Sequence, residues 1–205
     1  ASCSACERPS KTRLGEAIAL IRIGTRGSLL ALWQAEHVKG QLEGLGHGVE
    51  IQVISTTGDR NLDGPLQPVG GKGAFLKEIE EALLAGEVDL AVHSLKDVPT
   101  TMPPGLALAA VLERADPRDA LVSGGVSLGA LPPGARVGTT SLRRRALLRR
   151  HRPDLRVVDL RGNVDTRLRR RREGDFEAVI LAMAGLVRLG RQAEVSEPLD
   201  PGRFI

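Results

Sequence analysis

The sequence predicts an α/β fold: two lobes with mostly parallel sheets around a central cleft. Three observations carry this. A short apolar strand, a turn of glycine and hydroxyl residues, and a helix recur three times along the 205 residues. Two of these turns, Gly24-Thr25-Arg26-Gly27-Ser28-Leu29 and Gly138-Thr139-Thr140-Ser141-Leu142-Arg143, are alike enough to place one such unit in each lobe. Strands that alternate with helices make right-handed crossovers and therefore pair in parallel. The length suits one large or two small domains, and 41% hydrophobic with 26% charged residues is ordinary for a soluble globular chain.

Residues 1–20 are expected to form a disordered extension. They contain both cysteines, Cys3 and Cys6. A single C-x-x-C without a second pair or a C/H pair cannot complete a four-coordinate zinc site. Glu7-Arg8-Pro9-Ser10 also lacks the helix start that a thioredoxin-like site needs. Ala17-Ile18-Ala19-Leu20-Ile21 is too short for a secretory segment, and no apolar run approaches the ~20 residues that cross a bilayer. A cytoplasmic protein is the expectation.

Lobe 1 is expected over residues 21–114. It opens with the strand Ile21-Arg22-Ile23-Gly24 and a helix from Leu29 to Glu43 that Gly44 ends. Leu29, Leu32, Ala35, Val38 and Leu42 give that helix an apolar stripe. A strand follows over Glu50–Ser55. Residues 56–74 then hold Gly58, Gly64, Pro65, Pro68, Gly70, Gly71 and Gly73 with little apolar periodicity. Loops this long in compact domains are functional lids or disordered. Gly71-Lys72-Gly73 is no Walker A loop, because Leu66 and Gly73 stand where the first glycine and the Ser/Thr belong. A lid carrying one cation, Lys72, fits better. Val88-Asp89-Leu90-Ala91-Val92 reads as an interior strand of a parallel sheet, stopped by Val98-Pro99. Lys96 and Asp97 fall just beyond its carboxyl end, where open α/β sheets bind ligands. A surface ion pair between them is the alternative. His93 reads as a satisfied core histidine, and Leu106–Leu112 as a further strand.

Ala115-Asp116-Pro117-Arg118-Asp119 is expected to cross into lobe 2, residues 115–195. There a strand over Ala135–Gly138 leads to a helix from Leu142 to Arg150. A strand over Arg156–Leu160 leads to a helix through Arg172 that Gly174 ends. A last strand fits Ala178–Ala182, and residues 196–205 begin a truncated return toward lobe 1.

Charge is divided unevenly. Residues 1–112 hold 10 Lys and Arg against 13 Asp and Glu, whereas residues 113–205 hold 19 against 12, every cation an arginine. A helix N-terminus is already partly positive, so cations there are unfavourable by roughly 0.3–1 kcal/mol each. Yet Arg143, Arg144 and Arg145 fill one first turn, Arg161 and Arg167 flank the next, and Arg26 opens the first helix. Anions held by guanidinia, amides and hydroxyls would explain this. Pairing with Asp and Glu, or extension into solvent, is the alternative. Arg169–Arg172 points around a whole helix, and 2% aromatic residues with no Tyr leave little for base stacking. No nucleic-acid partner is expected.

Together these segments resemble porphobilinogen deaminase, also called hydroxymethylbilane synthase, from Ile21 to about Gly190. The likeness covers Thr25 to Ala35, Gly70-Gly71-Lys72-Gly73, Val92-His93-Ser94-Leu95-Lys96-Asp97-Val98-Pro99 and Gly138 to Arg144. It continues through Leu160-Arg161-Gly162-Asn163-Val164-Asp165-Thr166-Arg167 and Ile180 to Leu186. The resemblance implies two periplasmic-binding-protein-like lobes. It also implies a transferase of tetrapyrrole (heme) synthesis that joins four porphobilinogens into hydroxymethylbilane with loss of ammonia.

By the same resemblance Asp97 is the catalytic carboxylate, aided by Lys96. Ser28, Lys72, Lys96, Asp97, Thr139, Thr140, Ser141, Arg143 and Arg144 would hold a dipyrromethane cofactor. Arg26, Arg161, Arg167 and Arg188 would bind substrate carboxylates, and no metal is implied. The resemblance implies a third domain whose loop cysteine anchors the cofactor; that domain is expected to lie outside these 205 residues, and neither Cys3 nor Cys6 matches that cysteine. A monomer without independent turnover, acting on porphobilinogen and without a membrane partner, is expected. A two-lobed small-anion binding protein is the competing reading, although Asp97 would repel such a ligand.

Overall fold

A computed structural model describes residues 20–57 and 76–204. The expected extension with Cys3 and Cys6, and most of the expected lid with Lys72, lie outside these residues. The chain builds two sheets, of three and five strands; the α/β unit on each is here called a lobe.

In lobe 1, β1 (Ile21–Thr25) is central. It pairs in parallel with β2 (Val49–Val53) on one side and β3 (Leu90–Ala91) on the other. Helix α1 (Leu29–Gly44) starts where the Ser28 hydroxyl accepts the Ala31 N–H at 3.3 Å. Ala35 of its stripe is fully buried on Ile23 and Val49, with Val38 and Leu42 packed around them. Leu29, the first residue of the helix, is exposed.

Two expectations are corrected here. The strand expected over Val88–Val92 is short, and among the described residues it pairs only with β1, so it is an edge rather than an interior strand. Its start is held by a side chain instead: Asp89 accepts the Arg22 backbone N–H at 2.8 Å and the Arg22 guanidinium at 2.8 and 3.0 Å. Leu106–Leu112 forms no strand. A strand needs a ladder partner, none of the described residues supplies one, and Leu108, Val111 and Leu112 stay exposed. In lobe 1 a helix went unanticipated: α2 (Lys77–Leu84) buries Ile79 and Ala82. Its Glu78 accepts the Thr57 N–H at 2.8 Å, which ties down the start of the segment read as a lid.

Lobe 2 has the strand order β6-β5-β7-β4-β8. These are β4 (Asp119–Val122), β5 (Arg136–Gly138), β6 (Arg156–Val158), β7 (Ala178–Ala182) and β8 (Glu197–Pro198). β5, β6 and β7 are parallel; β4 runs antiparallel between β7 and β8. Helices α3 (Leu142–His151), α4 (Val164–Arg172), α5 (Met183–Arg188) and α6 (Pro201–Phe204) cover it. Leu121, Val137, Leu148 and Ile180 fill one face of the sheet, and Val122, Leu160, Leu168 and Leu181 the other. Gly174, at φ +86°, ends α4 as expected.

The lobes meet through α1 and α5. A Cβ on Gly185 would lie 3.7 Å from Leu30 Cδ2, at ordinary van der Waals distance. Arg188 sits over the Trp33 ring at 5.4 Å, and Trp33 stacks on His37 at 5.2 Å.

Candidate active site

β1 and β3 are neighbours and parallel, so their carboxyl ends open on the same edge of lobe 1. Beyond β1 come Arg26 and the helix cap Ser28. The strand's last residue, Thr25, is wholly buried, with its hydroxyl donating to the Ala31 carbonyl at 3.3 Å. Beyond β3, His93 and Ser94 lead into the 3-10 turn Leu95–Asp97. Gln34 of α1 fixes the Ser94 hydroxyl at 3.1 Å, and Asp97 donates its N–H to the Ser94 carbonyl at 2.9 Å.

These contacts place Asp97 on an exposed turn, with Lys96 exposed beside it. No Lys96–Asp97 ion pair forms, because successive residues of a 3-10 turn project about a third of a turn apart. The surface ion pair considered above is thus not what the residues make. Asp97, Arg26 and His93 act on one another: burial holds the His93 imidazole below its usual pKa, the Asp97 carboxylate raises it and the Arg26 guanidinium lowers it.

On lobe 2 the carboxyl ends of β5, β6 and β7 carry the rest. Thr139 is buried, and its Oγ1 accepts the Ser141 N–H at 3.2 Å. Ser141 caps α3 by accepting the Arg144 N–H at 3.4 Å. The Thr140 hydroxyl donates to the Leu160 carbonyl at 3.5 Å. These hydroxyls therefore shape the turn and the helix start.

The arginines of that first turn are compensated internally. Asp119, 4% exposed, accepts Arg143 Nη2 and Arg144 Nη2, each at 2.7 Å. Arg143 also donates to the Phe204 carbonyl at 2.6 Å and Arg144 to the Ile180 carbonyl at 2.9 Å. Arg145 pairs with Asp159. Arg167 donates its Nε to the Gly162 carbonyl at 2.8 Å, and burial together with the charge of Arg144 lowers its pKa. The sequence reading missed Asp119 as a site residue. The available signal was three consecutive arginines in one first turn and a carboxylate opening the apolar run Ala120-Leu121-Val122.

Compensation is incomplete. Arg143 and Arg144 share the one buried carboxylate of Asp119, Arg167 adds a third positive charge felt by Arg144, and the buried Nε of Arg144 has no hydrogen-bond partner. Such a donor set fits a polycarboxylate. Arg161 lies exposed before α4, and Arg188 sits at the lobe junction against Trp33. Among the described residues no His, Cys, Asp and Glu side chains cluster as metal ligands, and no helix is long and apolar enough to cross a membrane.

Comparison with known proteins bears on these groups. The family model described as "Porphobilinogen deaminase, dipyromethane cofactor binding domain" matches residues 21–205. The porphobilinogen deaminase of Syntrophobacter fumaroxidans is 56% identical over 189 residues, 91% of this chain and 61% of that protein. That of Geobacter metallireducens is 58% identical, over 87% of this chain and 57% of its own length. The chain thus spans about three-fifths of these relatives. Among solved structures, a periplasmic substrate-binding protein of an ABC transporter from Coxiella burnetii matches 88% of this chain and 79% of its own, at 18% identity and a TM-score of 0.49.

Proposed function

Because the chain belongs to the porphobilinogen deaminase family, we propose that it supplies the two cleft-forming lobes of a transferase. The reaction joins four porphobilinogens head to tail into hydroxymethylbilane, with loss of ammonia, in tetrapyrrole synthesis. The observation that carries this reading is the uneven charge on lobe 2: three guanidinia, one buried carboxylate and an orphaned Nε. A pyrrole bearing acetate and propionate groups is the complementary ligand.

Coupling breaks the C–N bond of the aminomethyl group, and the bonding pair leaves with ammonia. The methylene carbon and its ring become positive as a C–C bond forms to the acceptor pyrrole, which then gives up its α-proton. Asp97 is the residue suited to this charge: an exposed carboxylate on a short turn, able to accept a pyrrole N–H and to take up the departing proton. Lys96, not committed to Asp97, is available for a substrate carboxylate. A dipyrromethane held on a cysteine outside this chain would supply the first acceptor pyrrole. Ser28, Lys72, Thr139, Thr140, Ser141, Arg143 and Arg144 are assigned to hold it, and Arg26, Arg161, Arg167 and Arg188 to bind incoming carboxylates.

We place the protein in the cytoplasm as a monomer, with the lobe boundary near residue 115. The 205-residue chain by itself is expected to release no ammonia from porphobilinogen. The decisive test is Asp97→Ala in a chain of the relatives' full length. Ring coupling should fall at least ~100-fold, the scale of losing one transition-state charge partner, with the fold intact. Near-normal turnover would refute the assignment.

A further inference from the structure

We propose that lobe 2 carries a second binding site, for a small organic monocarboxylate with an apolar body, at the end of its sheet opposite the candidate active site. It is built around Arg171. In the run Arg169–Arg172 its three companions are matched: Arg169 with Glu173 at 2.9 Å, Arg170 with Asp175 at 2.7 Å and Arg172 with Glu194 at 3.6 Å. Arg171 makes no hydrogen bond or ion pair among the described residues, and its Nε is buried without a partner. A half-buried guanidinium left in this state is a standing demand for an anion.

The surroundings are built to admit it. The guanidinium packs so closely on Gly124, at φ +77°, that a Cβ there would stand 2.1 Å from Nη2. That loop is fixed: the Ser196 hydroxyl accepts the Ser123 and Gly125 N–H groups, each at 2.9 Å. Arg171 and Arg172 border an open surface pocket of about 400 Å³ whose apolar side is Val126, Leu131, Pro132 and Phe176. Glu177 also borders it but is already engaged. It accepts the Arg136 N–H at 2.6 Å and Arg136 Nη2 at 2.7 Å, which hold its pKa at about 2 and leave Arg171 unneutralised.

Topology sets the place. Ser123 follows antiparallel β4, Leu131 and Pro132 precede β5, and Phe176 precedes β7, so the cavity lies at the amino ends of the parallel strands. Arg143, Arg144 and Arg167 follow carboxyl ends. Of the two guanidinia at the pocket Arg172 is matched by Glu194, so the one unmatched fork beside an apolar wall selects one carboxylate on a small apolar body, and the volume is within the range of small-ligand pockets. Inorganic phosphate would meet the fork but not the wall.

The test is a titration of the 205-residue chain with sodium benzoate, followed by 15N NMR of the arginine Nε–H and glycine amide signals. Saturable shifts are expected at Arg171, Gly124 and Gly125. Arg171→Gln should weaken binding at least tenfold, and Arg171→Lys, which keeps the charge without the fork, by less. The proposal is overturned if shifts centre on Arg143, Arg144 and Arg167, if they fail to saturate, or if Arg171→Gln binds as the parent does. Phosphate binding as tightly as benzoate would overturn the ligand class.

Discussion

In lobe 1 the unit Ile21–Gly44 stands in a sheet of three described strands, whereas in lobe 2 the matching unit Arg136–His151 stands in a sheet of five. The turns are alike in each case: glycine, a buried threonine, and a serine whose hydroxyl caps the helix. What differs is the frame. Antiparallel β4 closes lobe 2 between β7 and β8 and also delivers Asp119 to the arginines of α3. No described strand of lobe 1 runs antiparallel in its sheet, and Leu84, Leu95, Leu108, Val111 and Leu112 are exposed. The lesson is that one local device is used for two ends. Lobe 2 invests it in a fixed, cation-rich surface, and lobe 1 presents a carboxylate on a lightly buttressed turn.

The largest test of this contrast removes the two acids that anchor arginines. Asp119→Ala strips a buried carboxylate from Arg143 and Arg144 and should cost about 3–5 kcal/mol, the usual loss when one member of a buried charge cluster is deleted. Asp89→Ala removes the partner of Arg22 in lobe 1, but that pair is solvent-exposed, so its loss should be far smaller. Urea denaturation of both variants measures the difference. Equal losses would show that β4 does not concentrate stability in lobe 2.

A smaller effect is expected at the equivalent glycines. A Cβ on Gly138 would lie 2.8 Å from Leu160 Cδ2, 3.1 Å from Leu160 Cβ and 3.1 Å from Phe176 Cδ1. Leu160 and Phe176 are both buried, and a Cβ cannot rotate aside, so Gly138→Ala should cost roughly 1–3 kcal/mol by overpacking. On Gly24 a Cβ would meet the buried Val88 at 3.0 Å (Cγ2) and 3.5 Å (Cβ) and Ile54 Cδ1 at 3.4 Å, close contacts but each looser than the 2.8 Å at Gly138. Gly24→Ala should therefore cost less than Gly138→Ala. Thermal unfolding of the pair ranks them, and the reverse order would mean the first sheet is the tighter one.

Much of this architecture was legible because local chemistry dictated it. Ser28, Ser141 and Asn163 cap helices where their side-chain oxygens accept N–H groups, and Gly44 and Gly174 fall at helix ends. The strand Ala178–Ala182 was readable from an unbroken apolar run. Reading failed where partners decide. Leu106–Leu112 has the composition of a strand but no ladder partner among the described residues. At the site, the excess of arginine at the start of α3 was visible. That Asp119 answers it was not, because 24 residues separate Asp119 from Arg143 and only the antiparallel placement of β4 joins them.

The smallest expected effect concerns acid. Burial lowers the pKa of His93 below its usual value, against the pull of Asp97 and with the push of Arg26. The folded chain therefore favours the neutral ring, while the unfolded chain takes up a proton near pH ~6.5. The resulting stability is fully present above that pH. It is lost as pH falls through the lower folded-state value, with a slope of at most about 1.4 kcal/mol per pH unit for one proton. Urea midpoints between pH 7.5 and 5 should decline, and His93→Gln should flatten the decline. Asp97→Asn removes the group that raises the pKa and should push the His93 ring-proton NMR titration to lower pH; Arg26→Gln should move it upward. If neither substitution moves that titration, the three side chains do not share an electrostatic site, and the assignment of Asp97 to the edge of lobe 1 that faces substrate loses its support.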